Sequence, residues 1–327
     1  MTHRFLFVNT REASCSIYEK GLTFYELMKS SPNWKMDYAE VQFLNRTELH
    51  NGRIVGPDGR SPPQYDAIIW NYHPYTMREM EGIDCTQFYK FPGVNYCMVV
   101  EEIRDDANPT VDNVPDSFNG YIVLDPTKKF GNPRFHAFPR VLPKIVTSYK
   151  FVPKVPVIGC YGYVTIDKGF DLIVKAASEE FEQSIVRINL PQAAYSDQNK
   201  ALLNQVLDTC RVAARDNVEL RITHDFMSND ELIDWCSQNT VNAFFYQRHI
   251  LGIAAAPDQA IASGRPIAVS SNPTFRHILQ YQKPYPEMSL RETIEKGGDY
   301  VRQIQQDWSQ SRCIERLTEI IFDGDGE

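Results

Sequence analysis

Two stretches of the sequence set glycine close to a basic residue, as a loop that wraps an anion requires. The first is Gly159-Cys160-Tyr161-Gly162-Tyr163-Val164-Thr165-Ile166-Asp167-Lys168-Gly169. Gly159 and Gly162 let backbone approach a ligand closely. Lys168 stands at the entry to the next helical segment, where free N–H groups and the helix dipole favour negative charge. A glycine turn with a solvated lysine would have the same sequence, because short glycine motifs are weak signals. The second stretch runs from Gln247 to Ser270 and carries Arg248, His249 and Gly252, then small residues, then Pro257, Asp258 and Gln259. Proline is favoured in the first turn of a helix, which puts Asp258 and Gln259 at a helix start. There a carboxylate or amide can bond sugar or ribose hydroxyls; alternatively, Asp258 only complements the helix dipole. Arg248 suits a diphosphate, since the guanidinium fork matches phosphate oxygens. In the first half, His73, Glu101-Glu102 and Asp125 each follow an apolar run. Any of them could serve as a general base toward a hydroxyl or be a structural polar group. Among these, Glu102 and His73 are the candidate catalytic residues, and His136 has weaker standing.

The elements that must position these residues alternate regularly. Strands are expected at 5–9, 36–44, 66–72, 95–102 and 120–125, and a helix over 21–28. Each strand is a short apolar run, as a parallel sheet buried on both faces requires. Residues 56–64 and 104–119 read as exposed loops by their Gly, Pro, Asp and Asn content. Pro139, Pro143, Pro153 and Pro156 mark an extended linker. Beyond it the expected strands are 155–162, 184–190, 218–224, 241–246 and 265–270. The expected helices are 168–181, 197–214, 228–238 and 257–264, with Ser228 and Glu231 forming a capping box. Helices also fill 290–322. This order is α/β: two Rossmann-like domains with parallel sheets. Residues 1–150 form the first, 151–290 the second, and 291–327 are helices returning to the first. Five loops of the second domain, 159–169, 190–196, 223–228, 247–258 and 270–276, then gather at the carboxyl ends of its strands, where such sheets bind ligands.

Composition narrows the function. The 327 residues carry a formal charge of −8, which argues against sequence-blind nucleic-acid binding. Seven cysteines without a Cys-x-x-Cys spacing suggest neither a disulfide framework nor a zinc site. The amino terminus reads as a first strand rather than a signal peptide, no apolar run reaches the roughly 18 residues of a membrane span, and a cytoplasmic protein is expected. No phosphate-loop, His-Glu-x-x-His or Gly-x-Ser-x-Gly motif occurs. A nicotinamide enzyme is disfavoured, since no Gly-x-Gly-x-x-Gly follows the first strand. No cofactor and no metal site are expected.

The second half resembles the family-4-type glycosyltransferases of the GT-B fold over about 155–280. Their pattern of Gly-Arg-Leu, three variable residues and Lys-Gly is matched by Gly162-Tyr163-Val164, Thr165-Ile166-Asp167 and Lys168-Gly169, with Tyr163 in place of the phosphate-binding arginine. Ile222-Thr223-His224-Asp225-Phe226-Met227-Ser228-Asn229-Asp230-Glu231-Leu232 matches a strand, loop and helix start that borders the nucleotide base in the family. Aligned on Gly264 and Pro266, the family's two glutamates fall on Leu251 and Gln259, so both carboxylates are absent. Phe275-Arg276-His277 resembles a stretch seen in less-characterised members.

The resemblance implies a metal-independent glycosyltransferase. It would move a sugar from a nucleotide-diphosphate donor to a sugar or glycan acceptor. The donor would meet Gly162, Tyr163, Lys168, Gly169, Asp225, Phe226, Arg248, Gly252, Asp258 and Gln259. A nucleotide-sugar epimerase and a non-enzymatic nucleotide or sugar binder share the same plan, and the lost glutamates keep the binder open.

Overall fold

Phe5 and Phe7 point to one face of the first strand, Leu6 and Val8 to the other, and all four are buried. Such a strand belongs inside a parallel sheet. The computed structural model places β1 (His3–Asn9) between β2 (Trp34–Glu40) and β3 (Ala67–Tyr72). The structure describes residues 3–10, 16–44, 65–73, 77, 94–99, 103–108, 110, 114–146, 153–191, 200–247 and 252–323. β4 (Val94–Val99), β5 (Gly120–Val123) and β6 (Phe135–Ala137) complete a six-stranded sheet of order β2-β1-β3-β4-β5-β6. Every pairing in it is parallel. One face packs Leu6, Val8, Trp70 and Tyr121. The other packs Phe5, Phe7 and Ile69 against Phe24 and Met28 of α1 (Ser16–Met28).

Three details differ from the sequence reading, the first being that α1 starts at Ser16 rather than at 21. The strand expected over 36–44 stops at Glu40, and Val41–Phe43 form a 3-10 turn. The Glu40 carboxylate accepts hydrogen bonds from Tyr18 and Tyr38 at 2.9 and 3.1 Å, which pins the strand end. β6 was not foreseen. Its three residues lie between Pro133 and Pro139, too short a run to show period-2 alternation.

The second sheet contains β7 (Val157–Tyr161), β8 (Ser184–Asn189), β9 (Val218–Thr223), β10 (Val241–Phe244) and β11 (Ile267–Val269). Its order is β11-β10-β7-β8-β9, again all parallel. The helices alternating with these strands are α2 (Phe170–Glu180), α3 (Lys200–Ala213), α4 (Asn229–Ser237) and α5 (Pro257–Ala262). Phe170, Ile173, Val174 and Ala177 of α2 pack on Ile158, Cys160, Val186 and Ile188 of the sheet. The Ser228–Glu231 capping box is present as expected, and Pro257 opens α5.

The chain forms two compact units. One comprises Met1–Val141, Leu251–Ile253 and Trp308–Glu327, the other Leu142–Ile250 and Ala254–Asp307. The terminal helices divide between them. α6 (Leu290–Asp307) belongs to the second unit, where Leu290 joins the core. α7 (Gln310–Thr318) packs back on the first, where Cys313 and Leu317 lie among Phe5, Phe7 and Phe24. No described helix is long and apolar enough to cross a membrane.

Candidate functional site

In the second sheet the strand order reverses between β7 and β10. Parallel sheets bind ligands outside the carboxyl ends of their strands at such a point. The segments after β7 and β10 flank it. Gly162 follows β7 with φ 140°, and its N–H donates to the Asn189 carbonyl at 3.1 Å. Ile166–Lys168 form a 3-10 turn, and Gly169, at φ 64°, caps α2. A β-carbon on Gly169 would collide with the Phe245 carbonyl, so only glycine lets α2 start this close to the end of β10. A bond of 2.8 Å from the Gln247 N–H to the Asp167 carbonyl ties the two loops together.

Lys168 is 7% exposed, not a solvated surface lysine. Its Nζ sits 5.6 Å from the centre of the Tyr246 ring, within cation–π range. The ammonium lies against Gly162, and Lys168 itself ends the turn that leads through Gly169 into α2, whose opening N–H groups carry partial positive charge. Tyr163 is half-buried.

The hydroxyl of Tyr161, the last residue of β7, donates to the Ala256 carbonyl, which fixes the strand end to the start of α5. Burial, then the neighbouring Cys236, Tyr246 and Asp258, pushes this phenol well above its ordinary range, so it stays a donor. Asp258 is wholly buried in the first turn of α5. Gln259 is half-buried and turns elsewhere: its Nε2 donates to Asn229 Oδ1 at 3.0 Å, joining α5 to α4.

The loop after β9 carries Asp225 and Phe226. Phe226 is 61% exposed, rare for so large an apolar side chain. The exposed Asp225 side chain is not what holds the loop; its backbone is gripped by Asn189, the buried last residue of β8. Gly252, at φ 110°, belongs to the short segment grouped with the first unit. Arg248, His249 and Leu251 lie outside the described residues. Phe275 packs its ring 4.9 Å from that of Tyr246, Arg276 donates to the Pro273 carbonyl, and His277 is wholly buried.

In the first unit the order reverses between β1 and β3. Two asparagines meet there: Asn71 Nδ2 donates to Asn9 Oδ1 at 2.7 Å and to the Ile17 carbonyl at 2.9 Å. His73 is half-buried just beyond β3. Asp125 is used locally: its Oδ1 accepts from the N–H and hydroxyl of Thr127 at 3.0 and 2.7 Å. His136 lies in β6, and burial followed by the Arg316 charge lowers its pKa. Glu101 and Glu102 fall outside the described residues. Asn9, Asn71 and Asn189 escaped the sequence reading. Their signal in the sequence was slight, an amide at or near the end of a strand; in the structure each is at most 2% exposed.

No family model and no curated protein matches the sequence. Solved structures do match its fold. HepE of Anabaena, crystallised with UDP and glucose, superimposes with a TM-score of 0.64 at 10% identity, covering 98% of this chain and 100% of that one. A glycosyltransferase of Rickettsia africae gives 0.59 at 8% identity, covering 100% and 99%. TarM of S. aureus gives 0.53 at 13% identity over 78% of this chain, which spans 55% of the TarM chain. The architecture is thus the GT-B fold, with its two parallel sheets and interleaved helices.

Proposed function

We propose that this chain is a glycosyltransferase that carries a sugar from a nucleotide-diphosphate donor to an acceptor hydroxyl without a bound metal. The observation that carries the reading is the buried Lys168, its ammonium held against Gly162 in the turn that leads into α2, at the reversal point of the second sheet. Similar chains such as HepE were crystallised with UDP, which supports a nucleotide there.

In this reaction the bond between the sugar's anomeric carbon and the diphosphate oxygen breaks, and the electron pair leaves with the diphosphate. The acceptor oxygen bonds to the anomeric carbon and gives up its proton. The site must stabilise charge growing on the leaving group. Lys168 and the N–H groups that open α2 supply that field, with Arg248 added by its place in the sequence. This is the work a metal would otherwise do. Gly162, Tyr163, Gly169 and Gly252 shape backbone around the donor, and Asp258 bonds its hydroxyls. Asp225 and Phe226 border the base. His73 or Glu102 takes the acceptor proton.

A second reading is a nucleotide or sugar binder without catalysis. One observation favours it: Leu251 and Gln259 stand where family members have glutamates, and the Gln259 amide is engaged with Asn229. A thermal-shift panel of nucleoside diphosphates and their sugars tests both readings. A ligand at about 100 times its Kd raises stability by about 2.7 kcal/mol. Stabilisation by a nucleotide sugar, with slow donor hydrolysis when no acceptor is present, supports the transferase. Stabilisation without hydrolysis or transfer supports the binder, and conversion of the sugar itself without acceptor identifies an epimerase.

A further inference from the structure

The loop between β9 and α4 is tied at both ends by side chains that no part of the proposed chemistry uses. At its start, Asn189 makes a reciprocal pair with the backbone of Asp225. Its Nδ2 donates to the Asp225 carbonyl at 3.0 Å, and its Oδ1 accepts the Asp225 N–H at 3.1 Å. The same Oδ1 accepts the Thr223 hydroxyl at 2.9 Å, and His224 Nδ1 lies 3.1 Å from the Leu190 carbonyl. At its end, the Ser228 N–H donates to Glu231 at 2.8 Å, and Gln259 reaches across from α5 to the next residue, Asn229, at 3.0 Å. Only Phe226 and Met227 lie between the anchored residues. Phe226 is the one left 61% exposed.

An aromatic ring held in water costs hydrophobic free energy that a loose loop would recover by folding the ring inward. The two anchors hold the backbone on either side of Phe226 and so limit how far the loop can move to bury it. They also remove the ordering cost that a mobile loop would bear when a ligand binds. We infer that Asn189 and Gln259 are positioning residues that fix the Phe226 ring as a preorganised stacking platform for the base of a nucleoside diphosphate, an inference that rests on the donor reading above. It assigns Gln259 a different task from bonding sugar hydroxyls: its amide acts on the ligand only through Asn229 and the loop.

The test is a double-mutant cycle on the intact chain, with UDP, GDP and ADP titrated by calorimetry and the tightest carried forward. Phe226→Ala should weaken that nucleotide about tenfold, the worth of one stacked base. Gln259→Ala should weaken it about fivefold, the worth of one neutral hydrogen bond. The double variant should bind no more weakly than Phe226→Ala alone, and inorganic pyrophosphate should bind all four proteins alike. Asn189→Asp keeps the acceptor oxygen but loses the donor, and should act in the same direction as Gln259→Ala. Nucleotide affinity unchanged in Gln259→Ala, or a full fivefold loss persisting without Phe226, overturns the inference while the donor reading stands. If the parent binds no nucleoside diphosphate, both fall.

Discussion

Lys168 lies so close over Gly162 that a β-carbon on the glycine would stand 2.5 Å from the lysine's Nζ. The two residues, six apart in sequence, are one structural unit. The glycine at φ 140° leaves the space, and the lysine occupies it. A buried cation held this way is already in place before an anion arrives, which is the condition for stabilising a leaving diphosphate without reorganisation.

Gly162→Ala should therefore do two things. The φ of 140° is strained for any residue with a β-carbon and costs about 1–3 kcal/mol of stability, read as a lower urea midpoint. The new methyl must also push the ammonium aside, so diphosphate affinity should fall. A Gly162→Ala protein with parental stability and parental UDP affinity would show that the two residues are not coupled.

Lys168→Ala should weaken nucleoside diphosphates by about 10- to 150-fold, the range for a charge-assisted hydrogen bond. Uridine without phosphates should bind as before. Calorimetry on both ligands separates the two, and an equal loss for uridine would argue against a phosphate role.

Asp258→Asn replaces by an amide of the same shape a carboxyl group that is 0% exposed in the first turn of α5. If Asp258 bonds the donor sugar, kcat/KM should drop about tenfold or more while UDP affinity changes less than about twofold. Equal losses for UDP and for the UDP-sugar would place its effect on the fold instead.

His136 predicts a pH dependence of stability. Burial and Arg316 lower its folded pKa from the ordinary 6.5. As pH falls through that ordinary value, the unfolded chain takes up a proton and the folded one does not. Unfolding is then favoured, so stability declines from near neutrality down to the folded pKa and is constant below it. Urea midpoints measured from about pH 8 to pH 5 should show this decline, and His136→Gln should remove its share of it. A variant with the parent's full pH slope would assign the slope to other groups.

The β-α alternation of the second half was legible because strands buried on both faces must be apolar runs. The helix starts were legible because unsatisfied N–H groups call for specific residues. Ser228 with Glu231, and Pro257, mark two of them. Lys168 and Gly162 could also be singled out as a pair, since their spacing is local. The end of β2 was not legible, because it is set by hydroxyls from Tyr18 and Tyr38 closing on Glu40, and Tyr18 comes from α1.

Where side chains point in the site was decided only by the tertiary structure. Asp258 and Gln259 are neighbours in sequence on one short helix, and sequence alone allows either to face a ligand. Folding brings α4 beside α5, so Gln259 finds Asn229 thirty residues away, while Asp258 is enclosed near the Tyr161 hydroxyl. Strand order was undetermined for the same reason: an apolar run says that a strand is interior, not which strands flank it. The reversal between β7 and β10, which gathers the loops around Lys168, exists only once contacts between residues about eighty positions apart have formed, as when Val241 pairs with Ile158.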